Sequence, residues 1–372
     1  MRIASDIRLA GIGSWLPEAV TTDEAVARGW YAAADRDASG MRAVRVAGEL
    51  PAPEMAVRAA RAALQRSAAT GLTPDDFGAL LHCATYHQGP DGWSAPHYVL
   101  RHTLDRPVGA AQIGPGCLGM LAALELAAHR LAADPSRDAV LITSGDNFSA
   151  PVVDRWNASR LFLLADGGAA VVVSRRDGFA RLVSVGSASA PVLEEMHRAG
   201  EQLFPPGITV GRSLNFEERS AHLRRQWEQG AAAPAVHFGE VVADTAGRVL
   251  EEAGTSLEKV ARICHTGYAS GALHSIYLAP LDVEPELGTW EFGRDVGHVG
   301  AADPFIGLEH LWTRGEVAPG DHVLLLAAGP GMEVACAVVE ITAECTEGLA
   351  AGPSYDGTPA APHPNAPKEE GR

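Results

Sequence analysis

The sequence predicts an α/β fold built twice, with helices layered between two sheets. Three observations carry this reading: an internal repeat, the alternation of strand and helix patterns, and one helix that is apolar nearly all round. "TPDDFGALLHCATY" (73–86) is echoed by "TSLEKVARICHTGY" (255–268), each an acidic helix end followed by a short apolar strand. "DAVLITSGD" (138–146) is echoed by "DHVLLLAAG" (321–329), and a further strand follows each, "GGAAVVVSRR" (167–176) and "EVACAVVEI" (333–341). Ahead of that second pair lie the helices "CLGMLAALELAAHRLAAD" and "PFIGLEHLWTRG". The order helix, strand, helix, strand, strand therefore occurs twice, the mark of a duplication.

Strands alternating with helices of this length imply α/β layers around a largely parallel sheet. The helix that begins at Cys117 is interrupted mainly by Glu125, His129 and Arg130, so it belongs between layers rather than on a surface. The halves are expected at 1–178 and 179–341. Residues 342–372, rich in Pro, Gly and Ala and without hydrophobic periodicity, predict a disordered tail that includes Cys345.

Composition excludes several function classes. With 47% hydrophobic and 20% charged residues among 372, the chain can bury a sizeable core, and no uninterrupted apolar run reaches the ~18 residues of a membrane helix. The start, "MRIASDIRLAGIGSWLP", carries Asp6 and a broken apolar run, unlike a signal peptide, so a cytoplasmic location is expected. A net charge of -16 argues against a nucleic-acid surface. Arg219, His222, Arg224 and Arg225 gather in "RSAHLRRQW", a run that is more commonly a solvated helix face than a docking site. Five cysteines without a CxxC pair fit reduced thiols. The 14 histidines show no HExxH spacing, and "AGIGSWLPE" lacks the spacing of a dinucleotide loop, so neither metal nor nucleotide cofactor is expected.

Cys117 is the candidate nucleophile. It follows Gly-Pro-Gly at the start of the buried helix, where unpaired N–H groups and about half a positive charge favour thiolate over thiol. The same donors can hold the oxyanion of a tetrahedral intermediate. The alternative is core filling, the usual role of a buried free cysteine and the reading for Cys83, Cys264 and Cys336 within apolar strands.

The ordered set "GIGSWLPE", "SGMRAVRVA", "IGPGCLGM", "LITSGDN", "LLADGGAAVVVS", "ICHTGY", "DVGHVGAADP" and "LLLAAGPGMEVACAVVE", spanning about residue 7 to residue 341, resembles the β-ketoacyl-ACP synthase III group of the thiolase superfamily. The resemblance implies a duplicated thiolase-like five-layer αβαβα sandwich, a homodimer, and an acyl group carried on Cys117 as a thioester. It makes His265 the match for the family histidine. In the family's Gly-Asn-Thr-Ser-Ala-Ala-Ser pattern, His298 takes the place of the catalytic Asn and Asp303 that of the last Ser.

That exchange has a chemical meaning. Asn can hydrogen-bond an enolate but cannot take a proton, whereas imidazole titrates near pH ~6.5 and can. Asp303 could orient the His298 ring and stabilise its cation, completing an acyl-transfer triad. Followed by Pro304, it could equally be a helix cap. His265 is expected to be a second oxyanion donor or to line the pocket. In the glycine loop that completes the family's oxyanion hole, Pro330 has no N–H, so Gly331 is left as the donor with Cys117. The adenine-clamping Trp and Arg of CoA-dependent members align with Ala34 and Ala38, unless a gap brings in Trp30, which favours a carrier-protein donor. His87, Trp93 and His97 fall where the family lines its acyl pocket.

Similar proteins with His and Asp in these places form esters or amides in polyketide and related natural-product pathways. The expected reaction takes an acyl group from an acyl-carrier protein or CoA to a hydroxyl or amine of a small polar scaffold, such as a sugar or aminocyclitol. Acyl shuttling between carrier proteins, decarboxylative carbon–carbon condensation and a non-catalytic partner subunit are the alternatives.

Overall fold

The computed structural model describes residues 1–346 except 4–5, 115, 152 and 232–235. Its main sheet contains β1 (Arg8–Trp15), β2 (Phe77–Cys83), β3 (Gly109–Ile113), β4 (Ala139–Asp146), β5 (Gly167–Ser174), β6 (Ala180–Ser189), β7 (Val260–His265), β8 (His322–Gly329) and β9 (Glu333–Ile341). Their spatial order is β3-β2-β4-β5-β1-β6-β9-β8-β7. Read outward from the centre, β1-β5-β4-β2 and β6-β9-β8-β7 follow the same order, so the sheet carries the duplication. The two series meet where β1 and β6 pair antiparallel through Arg8↔Arg181 and Leu9↔Ala180. Beyond β7, a single bridge between Ile263 and Gly288 stands where the first half has β3.

The strands are mixed rather than largely parallel. β2 runs parallel to β3 and β4, and β7 to β8, whereas the other pairs are antiparallel. The reason is local: β8 turns into β9 within three residues, and a short hairpin cannot make the crossover that parallel pairing needs.

The principal helices are α1 (Ala33–Ser39), α2 (Ala52–Ser67), α3 (Gly119–Ala133), α4 (Phe216–Glu228), α5 (Phe238–Ala253) and α6 (Asp303–Thr313). Side chains alternate along each strand between two cores. In β5, Ala169, Val171 and Val173 join the central core, and Ala170 and Val172 face α2. In β8, Val323, Leu325 and Ala327 face inward, and Leu324, Leu326 and Ala328 join the outer core shared with α5. Burial of both faces explains why these strands read as continuous apolar runs. α3 and α6 occupy the middle and touch strands of both halves, which completes the αβαβα layering. Gly116–Ala133 is long and apolar enough to cross a membrane, yet here it is a core element, with Met120, Leu121, Leu124 and Leu131 buried.

Residues 342–346, expected to open the tail, are instead held to the fold. Thr342 donates from its amide to the Phe179 carbonyl at 2.8 Å, and Trp312 Nε1 donates to the Ala343 carbonyl at 2.8 Å. Cys345 packs against the central core. These anchors lie far off in sequence, so local composition does not reveal them. The remainder, 347–372, lies outside the described residues.

Candidate active site

Cys117 sits on a 3₁₀ turn, Gly116–Leu118, just ahead of α3 rather than on its first residue. Gly116 has φ +66°, and a Cβ there would come within 2.6 Å of Pro330 Cδ. The β8–β9 loop therefore lies directly on the cysteine turn. The same loop carries Gly331 at φ +85°, a left-handed conformation suited to glycine.

His298 is held from both sides of its backbone. Its amide donates to the Leu163 carbonyl at 2.8 Å, and its own carbonyl accepts from Ala165 at 2.9 Å. The ring is fully buried, with Nε2 3.1 Å from Cys117 Sγ and Nδ1 2.5 Å from Asp303 Oδ2. Asp303 also accepts from the Gly267 amide at 2.7 Å through Oδ2 and from the Val299 amide at 2.7 Å through Oδ1. It is the first residue of α6 and makes no side-chain cap; Ala302 occupies the cap position. Its carboxylate is turned toward the imidazole instead.

Burial alone would keep His298 neutral. The charges of Asp303 and Cys117 outweigh it and hold the ring well above the usual imidazole range. The arrangement thus favours the imidazolium form of His298, with Asp303 fixing the orientation of its ring.

A second acid lies close by. Asp146, fully buried at the end of β4, accepts from the Thr85 amide at 2.9 Å and the Tyr86 amide at 3.2 Å. Burial pushes its carboxyl up to about 7, against the pull of these donors. Gly300, at φ +60°, rests on this group, and a Cβ there would collide with Thr85 Oγ1 and Asp146 Oδ2. The turn after His298 therefore seats on Asp146 only as glycine.

His265 lines a small cavity with Asp303, Thr289 and Ile306, a lining that includes neither Cys117 nor His298. Its Nδ1 lies 2.9 Å from the Thr266 carbonyl, whereas Nε2 has no partner and faces Gly288. Burial holds its pKa below the usual value.

His87, Trp93 and His97 are exposed, and their partners lie in their own segment and around Glu201 and Arg219. Trp93 leans on Tyr98 with ring centroids 5.7 Å apart, and His97 meets Ser94 Oγ at 2.7 Å. His87 borders a cavity of about 240 Å³ with Tyr86, Glu201, Arg212 and Arg219. Phe162 and Tyr268 wall the imidazole instead, with ring centroids 4.9 and 6.4 Å from it. Tyr268 lies inside "ICHTGY", three residues past His265, and Phe162 immediately precedes "LLADGGAAVVVS", so adjacency to these motifs was the signal available. In the arginine run, Arg219 pairs with Glu201 at 2.9 Å and Arg224 and Arg225 are exposed on α4, the arrangement of a solvated face.

A cavity of about 370 Å³ opens beside the site, lined among others by Ala38, Ser39, Trp156, Arg160, Leu161 and Ala269. Ala38 of α1 borders it and Trp30 does not; Trp30 lies under the Arg28 guanidinium, 4.7 Å away. Ala269 donates to Leu161 at 2.7 Å, which ties the cavity floor to the chain neighbours of Phe162 and Tyr268.

Fold and site define a class. Residues 112–191 match 3-oxoacyl-ACP synthase III, and residues 250–341 match the C-terminal region of the same family. The chain belongs to the β-ketoacyl-ACP synthase III-like group of the thiolase superfamily, enzymes of the acyl-transferring or condensing kind. Among solved structures it is similar to the acyltransferase ChlB3, with 38% identity, TM-score 0.86 and coverage of 91% of this chain and 98% of that one. The mycobacterial β-ketoacyl-ACP synthase III of Mycobacterium marinum is 24% identical over 91% of this chain and 96% of its own. The 3-oxoacyl-ACP synthase III of Aquifex aeolicus shares the fold, with 21% identity, TM-score 0.71 and coverage of 90% and 99%.

Proposed function

We propose that this protein is an acyltransferase that takes an acyl group from an acyl-carrier protein or CoA onto Cys117 and passes it to a hydroxyl or amine of a small polar scaffold, such as a sugar or aminocyclitol of a natural-product pathway. The observation that carries this reading is the placement of His298 between the Cys117 sulfur and the Asp303 carboxylate. An alcohol or amine must lose a proton as it attacks a thioester, and a positioned base is worth about 100- to 10,000-fold. A carbanion formed by decarboxylation needs no base, so an oriented imidazole in place of Asn suits acyl transfer better than condensation.

In the loading step the Cys117 thiolate attacks the donor thioester carbonyl and a carbon–sulfur bond forms. The oxyanion is received by the amides of Cys117 and Gly331. As the bond to the carrier sulfur breaks, His298 gives that sulfur its proton and becomes neutral. In the transfer step the acceptor attacks the enzyme thioester while His298 takes its proton. The bond to Cys117 then breaks, restoring thiolate beside imidazolium. Asp303 stays ionised throughout and steadies the ring.

The cavity beside Leu161 and Ala269 is suited to a donor's extended arm, and the absence of Trp and Arg at Ala34 and Ala38 favours a carrier protein over CoA. The family name shared by the relatives, which refers to acyl-carrier protein, agrees with that partner. A homodimer is part of the proposal: β3 is a mostly exposed edge strand, open to pairing with a second copy.

The test is intact mass after incubation with a panel of acyl-carrier and CoA thioesters, followed by addition of sugar and aminocyclitol acceptors. An acyl adduct that is lost in Cys117→Ala and discharged by an acceptor is the expected result. Carbon dioxide released from malonyl donors would replace this reading with condensation.

A further inference from the structure

The segment that carries His298 is clasped between two others. On one side the amides of Ala43 and Arg45 donate to the carbonyls of Arg294 at 3.1 Å and Val296 at 2.9 Å; on the other the Leu163 carbonyl and the Ala165 amide hold the His298 backbone. Gly297 lies in the gap at φ +89°, where a Cβ would stand 3.0 Å from Val44 Cγ1 on one arm and 2.8 Å from Ala165 Cβ on the other. A buried ion pair joins the two arms. Arg155 places Nη1 3.0 Å and Nη2 2.9 Å from the two carboxylate oxygens of Asp166. Its Nη1 also donates to the carbonyls of Arg45 at 3.4 Å and Leu164 at 3.3 Å, one from each arm. Asp166 in turn accepts from the amides of Ala47 and Phe148, each at 2.8 Å. Desolvation offsets most of what a buried pair contributes to stability, so fixed geometry is the better reason for its presence.

We infer that Arg155 and Asp166 are positioning residues for the catalytic base: their ion pair sets the width of the clasp, and so the place of the His298 ring between Cys117 and Asp303. The action runs through the backbone on either side of the ring. Cys117 stands on the turn ahead of α3 and Asp303 at the start of α6, whereas the clasp carries the imidazole, so a wider clasp alters both contacts at once. The tolerance is small, because a displacement of about 1 Å takes the 3.1 Å contact with the sulfur out of hydrogen-bond reach. Lysine cannot do the same work. Its single ammonium cannot meet two carboxylate oxygens and two carbonyls as the planar guanidinium does. The titratable groups whose charges reach the ring are Asp303, Cys117 and Asp146, and none of them lies on either arm of the clasp.

The assignment rests on His298 as the base of the proposed reaction, but its test needs no substrate. The experiment is proton NMR of the N–H that His298 Nδ1 shares with Asp303, a far-downfield resonance identified by its loss in His298→Asn. It is followed from about pH 5 to pH 10 in wild type, Arg155→Lys and Arg155→Gln. The position of the resonance reports the hydrogen bond, and its movement with pH reports the protonation of the ring. In Arg155→Lys the resonance is expected to move upfield and its midpoint to fall by about one pH unit, a tenfold weaker hold on the proton. Arg155→Gln, which also removes the charge, is expected to shift further. Wild-type position and midpoint in both variants would overturn the assignment, even with a lowered melting temperature, because a pair that supports only the fold gives that result. Failure of both variants to fold would overturn it on the same ground. Lack of an adduct from any donor on wild type would instead sink the acyl-transfer reading and leave the positioning result standing.

Discussion

Asp303 meets His298 through one carboxylate oxygen and holds the backbone of the same turn through the other, accepting from Val299. One side chain thus sets both the tautomer of the ring and the loop that carries it. Asp303→Asn keeps the shape but presents an amide where the carboxylate accepted a proton donor. Acceptor transfer is expected to fall by up to about 10,000-fold, the scale seen when a triad acid becomes an amide. Single-turnover transfer from pre-acylated enzyme measures it, and an unchanged rate would remove Asp303 from the chemistry.

His298→Asn restores the side chain of condensing relatives at this place. Self-loading is expected to weaken and transfer to weaken much more, because loading keeps the amides of Cys117 and Gly331 whereas transfer loses its base. Parallel mass measurements of adduct formation and discharge separate the steps. Equal losses in both would count against His298 as the acceptor's base.

The two steps should also differ in pH dependence. Asp303 and Cys117 together raise the pKa of His298. Its proton is therefore in place at neutral pH for the leaving carrier sulfur and is lost only well above pH ~6.5. Once the sulfur is acylated, one of those two charges is gone and the ring gives up its proton more readily. Loading is expected to hold through neutral pH and fall at the alkaline end, whereas transfer rises with pH. Stopped-flow or quenched measurements of each half-reaction would reveal identical profiles if the assignment is wrong.

Asp146 yields a stability prediction of definite sign. Its folded-state pKa, near 7, lies above the ordinary value of 3.8, so the folded chain holds the proton more tightly than the unfolded one. Below pH ~4 the two states are alike, and as pH rises toward 7 the folded state loses ground. Asp146→Asn cannot titrate and is expected to gain on wild type by roughly 2–3 kcal/mol between pH 5 and pH 8. Urea midpoints across that range decide the matter, and parallel curves would contradict it.

Gly300→Ala tests the seat beneath the catalytic turn. Positive φ costs an alanine about 1–2 kcal/mol, and the collision with Thr85 and Asp146 adds to it. A melting temperature lower by roughly 5 °C or more, with impaired transfer, is expected. A variant that is both stable and active would show that the turn can move.

Much of this was legible in the sequence for physical reasons. Strands such as "LLLAAG" serve two cores at once, so their apolar runs are continuous and the repeat is plain. "GHVGAAD" could be read because its glycines and ionisable groups sit close together in the chain. The role of Asp303 as an acceptor for Gly267 could not, since that partner is 36 positions away and local spacing also fits a helix cap. His87 and Trp93 lie in a loop and His97 on the helix Ala95–His102 that follows it, where the path of the backbone rather than the residue type decides which side chains face inward. His265 could be matched by its motif, but its contact with Gly288 and its place in a lining with Asp303 and Thr289 join segments that local spacing does not bring together.

The sulfur and its base come from different repeats, and the sheet joins those repeats through the two residue pairs of β1 and β6. Reactivity is therefore a property of the junction, and neither repeat owns it. A slip of about 1 Å along this seam would part a 3.1 Å contact while leaving each outer core intact, so activity would report the alignment of the repeats before any spectroscopic sign of unfolding.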